Sequence, residues 1–165
     1  MILKEKVLFN VEECNSIVWD STKNTNNHSY VQDRKYNSQQ IYYNEDTKWI
    51  FEKLSNFFEE ETKLKINTIK NRIHFHKFIS GDWFGKHNDA IDNRLYSVGV
   101  LLNENFEGGD FKLYNPNEHT LNKQTGNTYL FDAKIDHEIT QVTSGDRYSL
   151  LWFLQKDNLI TKTII

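Results

Sequence analysis

The fold is decided by the stretch LYSVGVLL at residues 95–102. Its apolar side chains fall on both faces, which is typical of a strand buried inside a β-sandwich. All 7 glycines of the 165-residue chain lie after residue 80, where they favour tight turns. Further strand-like runs occur at residues 69–78, 111–114, 128–131, 135–142 and 147–154. Short strands separated by glycine turns predict an all-β sandwich or barrel for this half.

The first 68 residues predict a partly helical region. Residues 2–9 suit a first strand, and Asn10 is a good N-cap for a helix over residues 11–20. Asn44 would cap a second helix over residues 45–62. Its apolar positions form one stripe at helical period, made of Trp49, Ile50, Leu54, Phe57 and Phe58. We expect these helices to pack on one sheet, which gives an α+β, mainly β fold.

The polar segment at residues 21–40 is rich in Asn and Ser, which compete with regular structure by bonding their own backbone. Two interpretations are open for it. It is either a mobile functional loop or a solvated connection.

Composition and charge argue against several classes of protein. The net charge is −3 and no basic run stands out, so strong binding to nucleic acid or to anionic membranes is not expected. No run approaches the ~20 apolar residues of a membrane span, and Lys4 and Glu5 interrupt any signal-peptide core. The single cysteine, Cys14, predicts a buried structural thiol. A cytoplasmic, reducing setting fits these features.

Candidate metal ligands stand at His87, Asp89 and His137. Residues two apart on a strand point the same way, so His87 and Asp89 would aim at one point. With His137 from a distant strand they would form a 2-His-1-carboxylate set, which suits mononuclear iron. Two alternatives remain. An H-x-D sequence alone is common on β surfaces, and His74 with His76 is a rival pair, although no further ligand is spaced to complete it.

Arg147 begins the apolar run YSLLWF at residues 148–153. A buried arginine needs an anionic partner, and its fork suits a carboxylate. Ser149 shares its face and can donate to the same group. The pair predicts a dicarboxylate whose other end chelates the metal. A surface salt bridge is the alternative role for Arg147.

These motifs, taken in order, resemble one known family. The residues are FGKHND at 84–89, Arg94, LLNE at 101–104, FEGGDF at 106–111, Phe131-Asp132, and HEITQVTSGDRYSL at 137–150. Together they are similar to the catalytic domain of prolyl-hydroxylase-like 2-oxoglutarate and Fe(II)-dependent dioxygenases. The opening, residues 9–18, also resembles the helix that often begins these domains.

The resemblance implies a double-stranded β-helix, or jelly roll, in a single domain over residues 1–165. Residues 1–68 would give helical and loop support, and residues 69–155 the catalytic jelly roll. It implies Fe(II) held by His87, Asp89 and His137. It also implies 2-oxoglutarate anchored by Arg147 and Ser149, with O₂ as the second cosubstrate and ascorbate as a possible support. The turn at residues 143–146 would then be a corner between facing sheets.

One position departs from the family. Where these enzymes usually have a tyrosine that bonds the 2-oxoglutarate tail, this chain has Phe78. The tail must then rely on Arg147, Ser149 or another donor such as His76, which lies two residues earlier on the same face.

The implied reaction is hydroxylation of an aliphatic C–H, coupled to decarboxylation of 2-oxoglutarate. The retained Asp89 favours hydroxylation, because similar halogenases lack that carboxylate. The expected substrate is a prolyl residue of a peptide or protein, bound near residues 20–40 and 104–109. A free amino acid or other small molecule is the alternative substrate, and a noncatalytic metal-binding jelly-roll module is an alternative of another class. Nucleic acid is not expected, because the repair dioxygenases' Asn and second Arg are replaced by Ser149 and Leu154. The oligomeric state is left open.

Overall fold

The computed structural model describes residues 2–22, 28–31, 34–67 and 72–160, with backbone alone at 28–31 and 160. The helices are α1 (Val11–Ser21) and α2 (Lys48–Thr62). The strands are β1 (Leu3–Val7), β2 (His28–Val31), β3 (Arg34–Ile41), β4 (Lys65–Ile66), β5 (Ile73–Phe78), β6 (Trp83–His87), β7 (Arg94–Leu101), β8 (Glu107–Gly108), β9 (Phe111–Tyr114), β10 (Glu118–Thr120), β11 (Asn127–Asp132), β12 (Asp136–Ile139), β13 (Val142–Ser144), β14 (Arg147–Gln155) and β15 (Leu159–Ile160).

Most strands join one curled antiparallel sheet in the order β1-β11-β7-β14-β5-β3-β6-β12-β9-β10, with β2 added on β3. β3 pairs with β5 over part of its length and with β6 over the rest, so it links the two walls of the curl. β12 and β14 have no ladder between them, and the chain turns a corner at residues 143–146. The predicted jelly roll is confirmed.

Alternation along β7 and β14 explains why the LYSVGVLL stretch is apolar on both faces. One face of the sheet packs under the helices in a core that contains Val98, Val100, Leu150 and Trp152. The same core takes Ile50, Phe51, Leu54, Phe57 and Phe58 from α2 and Cys14 and Ile17 from α1. The predicted packing of the helices on one sheet is therefore confirmed, although Phe51 is buried where the sequence favoured Trp49.

The other face of the sheet encloses a second core between the two walls. It contains Phe78, Phe84, Phe111, Tyr129, Phe131 and Ile139 among its buried residues. Ser97, Arg147 and Ser149 are buried as well. They alternate along their strands with residues of the helix-covered core, so their side chains point into this second space. The interior of the barrel thus combines an aromatic lining with a few fixed polar groups.

The two helix starts differ in their capping. Asn10 forms the expected cap, since its Oδ1 accepts from the Glu13 amide at 2.8 Å and Glu13 accepts from the Asn10 amide at 3.0 Å. The predicted cap at Asn44 is wrong. Helix α2 begins later, after Thr47, and Asn44 instead accepts from the amides of Asp46 and Thr47 in a preceding turn.

Two other predictions needed correction, and a third is confirmed in part. The segment at residues 21–40 is not all loop, because β2 and β3 form there, although residues 23–27 and 32–33 lie outside the described residues. The expected strand over 135–142 breaks after Ile139, where Asp110 bonds both the amide and the hydroxyl of Thr140. The strand expected over 69–78 is confirmed from Ile73 to Phe78, and residues 69–71 lie outside the described part.

The remaining expectations concern Cys14 and the membrane. Cys14 is buried as predicted, and burial raises the pKa of its thiol to about 11. Within the described residues, neither helix has the length and apolar character needed to cross a bilayer.

Candidate active site

The structure brings the three predicted metal ligands together. His87 ends β6 and pairs in register with His137 on β12. Asp89 Oδ1 lies 3.5 Å from His87 Nε2, and Asp89 Oδ2 lies 3.4 Å from His137 Nε2. One ligand atom from each residue lies within 4.8 Å of the others. Asp89 is not on the strand as expected, because β6 stops at His87 and the carboxylate comes from the following loop.

Backbone carbonyls fix the orientation of both imidazole rings. His87 Nδ1 lies 2.6 Å from the carbonyl oxygen of Gly85, and His137 Nδ1 lies 2.9 Å from that of Ile135. Because a carbonyl can only accept, each Nδ1 carries the proton and donates. In its neutral form each ring presents the lone pair of Nε2 towards the Asp89 carboxylate, which is the arrangement that a metal ligand requires.

Asp89 is held as a buried carboxylate. Its backbone amide donates to the carbonyl of Ala133 at 2.9 Å, and the Ser97 hydroxyl donates to Oδ2 at 2.6 Å. Burial raises the pKa of this carboxyl, but its interactions with His137, His87 and Ser97 outweigh burial and hold the pKa well below its usual range. Asp89 is therefore an ionised carboxylate that protein groups hold in one orientation.

Aromatic rings surround the two histidines. Phe84 stacks on His87 with ring centroids 3.8 Å apart, and Phe111 lies parallel to His137 at 5.4 Å. Phe131 meets His137 edge-on at 4.9 Å. This apolar shell limits the access of water to the ligand cluster and strengthens electrostatic interactions inside it.

Arg147 lies at the start of β14 and is 2 % exposed. Its Nε donates to the carbonyl of Gly109 at 2.9 Å, and its Nη1 donates to the Ser149 hydroxyl at 3.2 Å. The guanidinium carbon stands over the rings of Phe78 and Phe106. No described carboxylate forms an ion pair with Arg147. The alternative role of Arg147 in a surface salt bridge therefore finds no support among the described residues, and burial lowers the pKa of the guanidinium.

The alternative ligand pair, His74 and His76, does not form a metal cluster. Among the described residues, neither joins a group of three side chains that could hold an ion. His76 is buried opposite Ser149, and desolvation lowers its pKa to about 3, so its ring is neutral. It is consequently available as a hydrogen-bonding group and not as a cation.

Sequence reasoning missed Tyr129. This residue lies on β11, is buried, and places its hydroxyl against the guanidinium of Arg147. The residue directly opposite on β7 is Gly99. A glycine inside an apolar strand is the one sequence signal that could have drawn attention here, because it marks a close approach by another group.

Comparison with known proteins now decides the family. Residues 73–155 match the model of the 2OG-Fe(II) oxygenase superfamily. The chain belongs to this superfamily. Its cofactors are accordingly Fe(II), 2-oxoglutarate and O₂, and the described cluster fits the metal, since two imidazoles and one carboxylate are ligands that non-haem Fe(II) accepts. No curated protein matches the oxygenase significantly in sequence.

Solved structures resemble the oxygenase over nearly its whole length. A prolyl-4-hydroxylase from Pseudomonas putida has a TM-score of 0.75 at 17 % identity, covering 93 % of this chain and 92 % of that one. A prolyl hydroxylase from Trichoplax adhaerens, in complex with a hypoxia inducible factor peptide, has a TM-score of 0.74 at 17 % identity, with 94 % and 84 % covered. The viral collagen prolyl hydroxylase of Paramecium Bursaria Chlorella virus-1 has a TM-score of 0.75 at 15 % identity, with 93 % and 95 % covered. At these identities the likeness shows the fold alone.

Proposed function

We propose that this dioxygenase hydroxylates an aliphatic C–H of a prolyl residue in a peptide or protein. In this proposal His87, Asp89 and His137 hold the iron, while Arg147 and Ser149 bind the distal carboxylate of 2-oxoglutarate. The observation that carries the oxygenase reaction is the Arg147 guanidinium, which is buried inside the barrel with no carboxylate partner among the described side chains. A buried cation of this kind requires an anion from outside the chain.

The side chains divide the work of the reaction. When bound, the iron and 2-oxoglutarate supply the oxidising power that places one oxygen atom of O₂ on the substrate carbon and leaves succinate and CO₂. The Asp89 carboxylate and the two Nε2 atoms hold the metal on one side. Arg147 and Ser149 fix the tail of the cosubstrate, and the rings of Phe84 and Phe111 keep bulk water from the cluster.

A prolyl substrate is supported by the likeness to the three prolyl hydroxylases and by a cleft near the starts of β5 and β7 and the end of β14. The cleft is lined by Tyr42, Arg72, His74, Asp92, Arg94, Phe153 and Gln155. His74 shares the inner face of β5 with His76, so the cleft continues the surface that reaches Ser149. Its exposed aromatic edges suit a prolyl ring, and its polar groups suit the peptide backbone.

A free amino acid or another small molecule is the second candidate substrate. Arg72 and Arg94 line the same cleft and are suited to a free carboxylate. A noncatalytic metal-binding module is disfavoured, because it would use the ligand cluster but not a buried arginine that has no carboxylate partner among the described residues. The absence of any basic run in the sequence again disfavours a nucleic-acid substrate.

The test incubates the enzyme with Fe(II), 2-oxoglutarate and ascorbate, together with proline-rich peptides or free proline. Mass spectrometry then measures the gain of one oxygen atom. A gain on the peptides that is lost when their prolines are replaced by alanine supports the proposal. Oxygen added only to free proline, or to peptides that contain no proline, would contradict the proposed substrate.

A further inference from the structure

Tyr129 and Gly99 form a complementary pair on neighbouring strands. They stand directly opposite each other across β11 and β7. A Cβ atom built on Gly99 would overlap the Tyr129 ring and would lie 2.6 Å from its hydroxyl oxygen. Any side chain at position 99 would therefore displace the ring from this place. The missing side chain is what allows the tyrosine to lie across β7.

The position of Gly99 puts the Tyr129 phenol between the Asp89 carboxylate and the pair formed by Arg147 and Ser149. On the same face of β7, Ser97 precedes it and bonds the Asp89 carboxylate. Leu101 follows it and stands opposite Ser149 of β14. The Tyr129 hydroxyl interacts with Arg147, and the phenol is also close enough to Asp89 to be affected by that charge.

Arg147, Ser149 and Tyr129 have hydrogen-bond donors that remain available to a bound anion. A guanidinium has five N–H groups. In Arg147 one of these is used by Gly109 and another by Ser149. The Ser149 and Tyr129 hydroxyls face the cation as acceptors, so each keeps its own proton for an outside acceptor. Burial raises the pKa of Tyr129, which keeps the phenol protonated. The guanidinium of Arg147 and the hydroxyls of Ser149 and Tyr129 can therefore all donate to one bound carboxylate. A carboxylate only accepts, so these donors would satisfy its oxygens.

We infer that Tyr129, made possible by Gly99, is the hydroxyl donor to the tail carboxylate of 2-oxoglutarate and takes the place of the tyrosine absent at Phe78. The inference rests on the proposed function's assignment of Arg147 as the anchor. It is independent of which C–H is attacked. Phe78 contributes a ring under the guanidinium, and Tyr129 supplies the hydroxyl from the opposite side of β14.

Calorimetric titration of 2-oxoglutarate into the Mn(II)-loaded full chain tests this role without relying on turnover. Tyr129→Phe keeps the ring and removes only the hydroxyl, so we expect Kd to rise about 10- to 100-fold, the range for one hydrogen bond to a charged group. Tyr148→Phe is the matched control. Tyr148 is the neighbour of Arg147 on β14, and its hydroxyl contacts Asp146 instead. Its Kd should equal that of the wild type.

Two further measurements separate a role in binding from a role in folding. Affinity for Mn(II), and affinity for 2-oxobutyrate, which lacks the tail carboxylate, should be the same in Tyr129→Phe and the wild type. Gly99→Ala should weaken 2-oxoglutarate binding in the same selective way, because the added methyl group moves the phenol. A loss shared equally by Mn(II), 2-oxobutyrate and 2-oxoglutarate would overturn the inference.

Arg147→Ala tests the assignment of Arg147 as the anchor separately from the role of Tyr129. If that variant loses 2-oxoglutarate while Tyr129→Phe binds it as the wild type does, only the role of Tyr129 is overturned. If Arg147→Ala itself binds 2-oxoglutarate normally, the anchor assigned under the proposed function fails, and the role of Tyr129 fails with it.

Discussion

The Ser97 hydroxyl donates a 2.6 Å hydrogen bond to Oδ2 of Asp89, inside the barrel and away from solvent. Ser97 lies on β7 and Asp89 on the loop after β6, so the bond joins two walls of the jelly roll at the metal cluster. It leaves Oδ1 of the carboxylate beside His87. The fold therefore orients the only carboxylate of the cluster before any metal arrives.

Ser97→Ala should weaken metal binding by about 10- to 100-fold, as is usual when the partner of a metal ligand is removed. The physical reason is that Asp89 loses the group that fixes its rotation. Titration of the metal-free protein with Mn(II) or Co(II) measures the effect. Ser149→Ala is the matched control, since it removes the same hydroxyl near Arg147 and should leave metal affinity unchanged. Equal affinities for Ser97→Ala and the wild type would show that Asp89 does not need this bond.

Arg147→Met should abolish most 2-oxoglutarate binding, with Kd raised by at least about 100-fold, because two or more charge-assisted hydrogen bonds are lost. The free energy of unfolding of the protein without ligand should stay the same or rise, since an unpaired buried cation is replaced by an apolar side chain. Calorimetry and urea denaturation measure the two effects. Lys77→Ala is the control, because Lys77 is opposite Tyr148 on the neighbouring strand. Damage to cosubstrate binding by Lys77→Ala, with Arg147→Met unaffected, would refute the assignment.

His76 should make the protein less stable in acid. Its native pKa is lowered to about 3 by burial, then by the charges of His74 and Arg147, whereas an unfolded histidine titrates near ~6.5. Between these values the unfolded state binds more protons, so stability falls as pH decreases, by up to about 1.4 kcal/mol per pH unit. His76→Gln removes this contribution. Urea denaturation between about pH 7 and about pH 4 should give a shallower pH dependence for the variant. Parallel curves for the two proteins would contradict the buried neutral state of His76.

Phe51 should be a main source of stability for the helix-covered face. It is fully buried on α2 and meets the ring of Trp152 edge-on at 5.7 Å. Phe51→Ala should cost about 3–5 kcal/mol of unfolding free energy, the usual loss for a large buried aromatic. Val11→Ala is the control on α1, since Val11 is 59 % exposed and should change stability by less than about 0.5 kcal/mol. A small effect of Phe51→Ala would mean that the helices contribute little to holding the sheet.

The main architecture could be predicted because the patterns that specify it are local. Alternation in the LYSVGVLL stretch and the stripe on α2 follow from strand and helix periods. The residue types His87, Asp89 and His137 indicated a metal site, although strand alternation does not place Asp89. The roles of Arg147 and Ser149 could also be predicted from a local pattern. A charged residue at the start of an apolar strand implies an anionic partner. The double-stranded β-helix itself came from the family resemblance, because strand order is not encoded in any local period.

The parts that were missed depend on contacts between distant segments. β3 is mostly polar, so its sequence suggested a loop, yet pairing with β5 and β6 makes it a strand. Asp89 leaves the strand because β6 ends early, and its position is set by Ala133 and Ser97 instead of by strand alternation. Tyr129 resembled an ordinary core aromatic. Only its register opposite Gly99 reveals that its hydroxyl reaches Arg147.

Succinate formation shows directly whether this chain couples its metal site to 2-oxoglutarate. The purified enzyme is incubated with Fe(II), ascorbate and 2-oxoglutarate, and succinate is quantified for the wild type, His137→Ala and Arg147→Ala. We expect succinate from the wild type, increased by a proline-containing peptide. We expect none above background from His137→Ala, and recovery of Arg147→Ala only at much higher 2-oxoglutarate concentrations. No succinate from the wild type with any peptide, together with no binding of 2-oxoglutarate to the Mn(II)-loaded protein, would contradict this coupling.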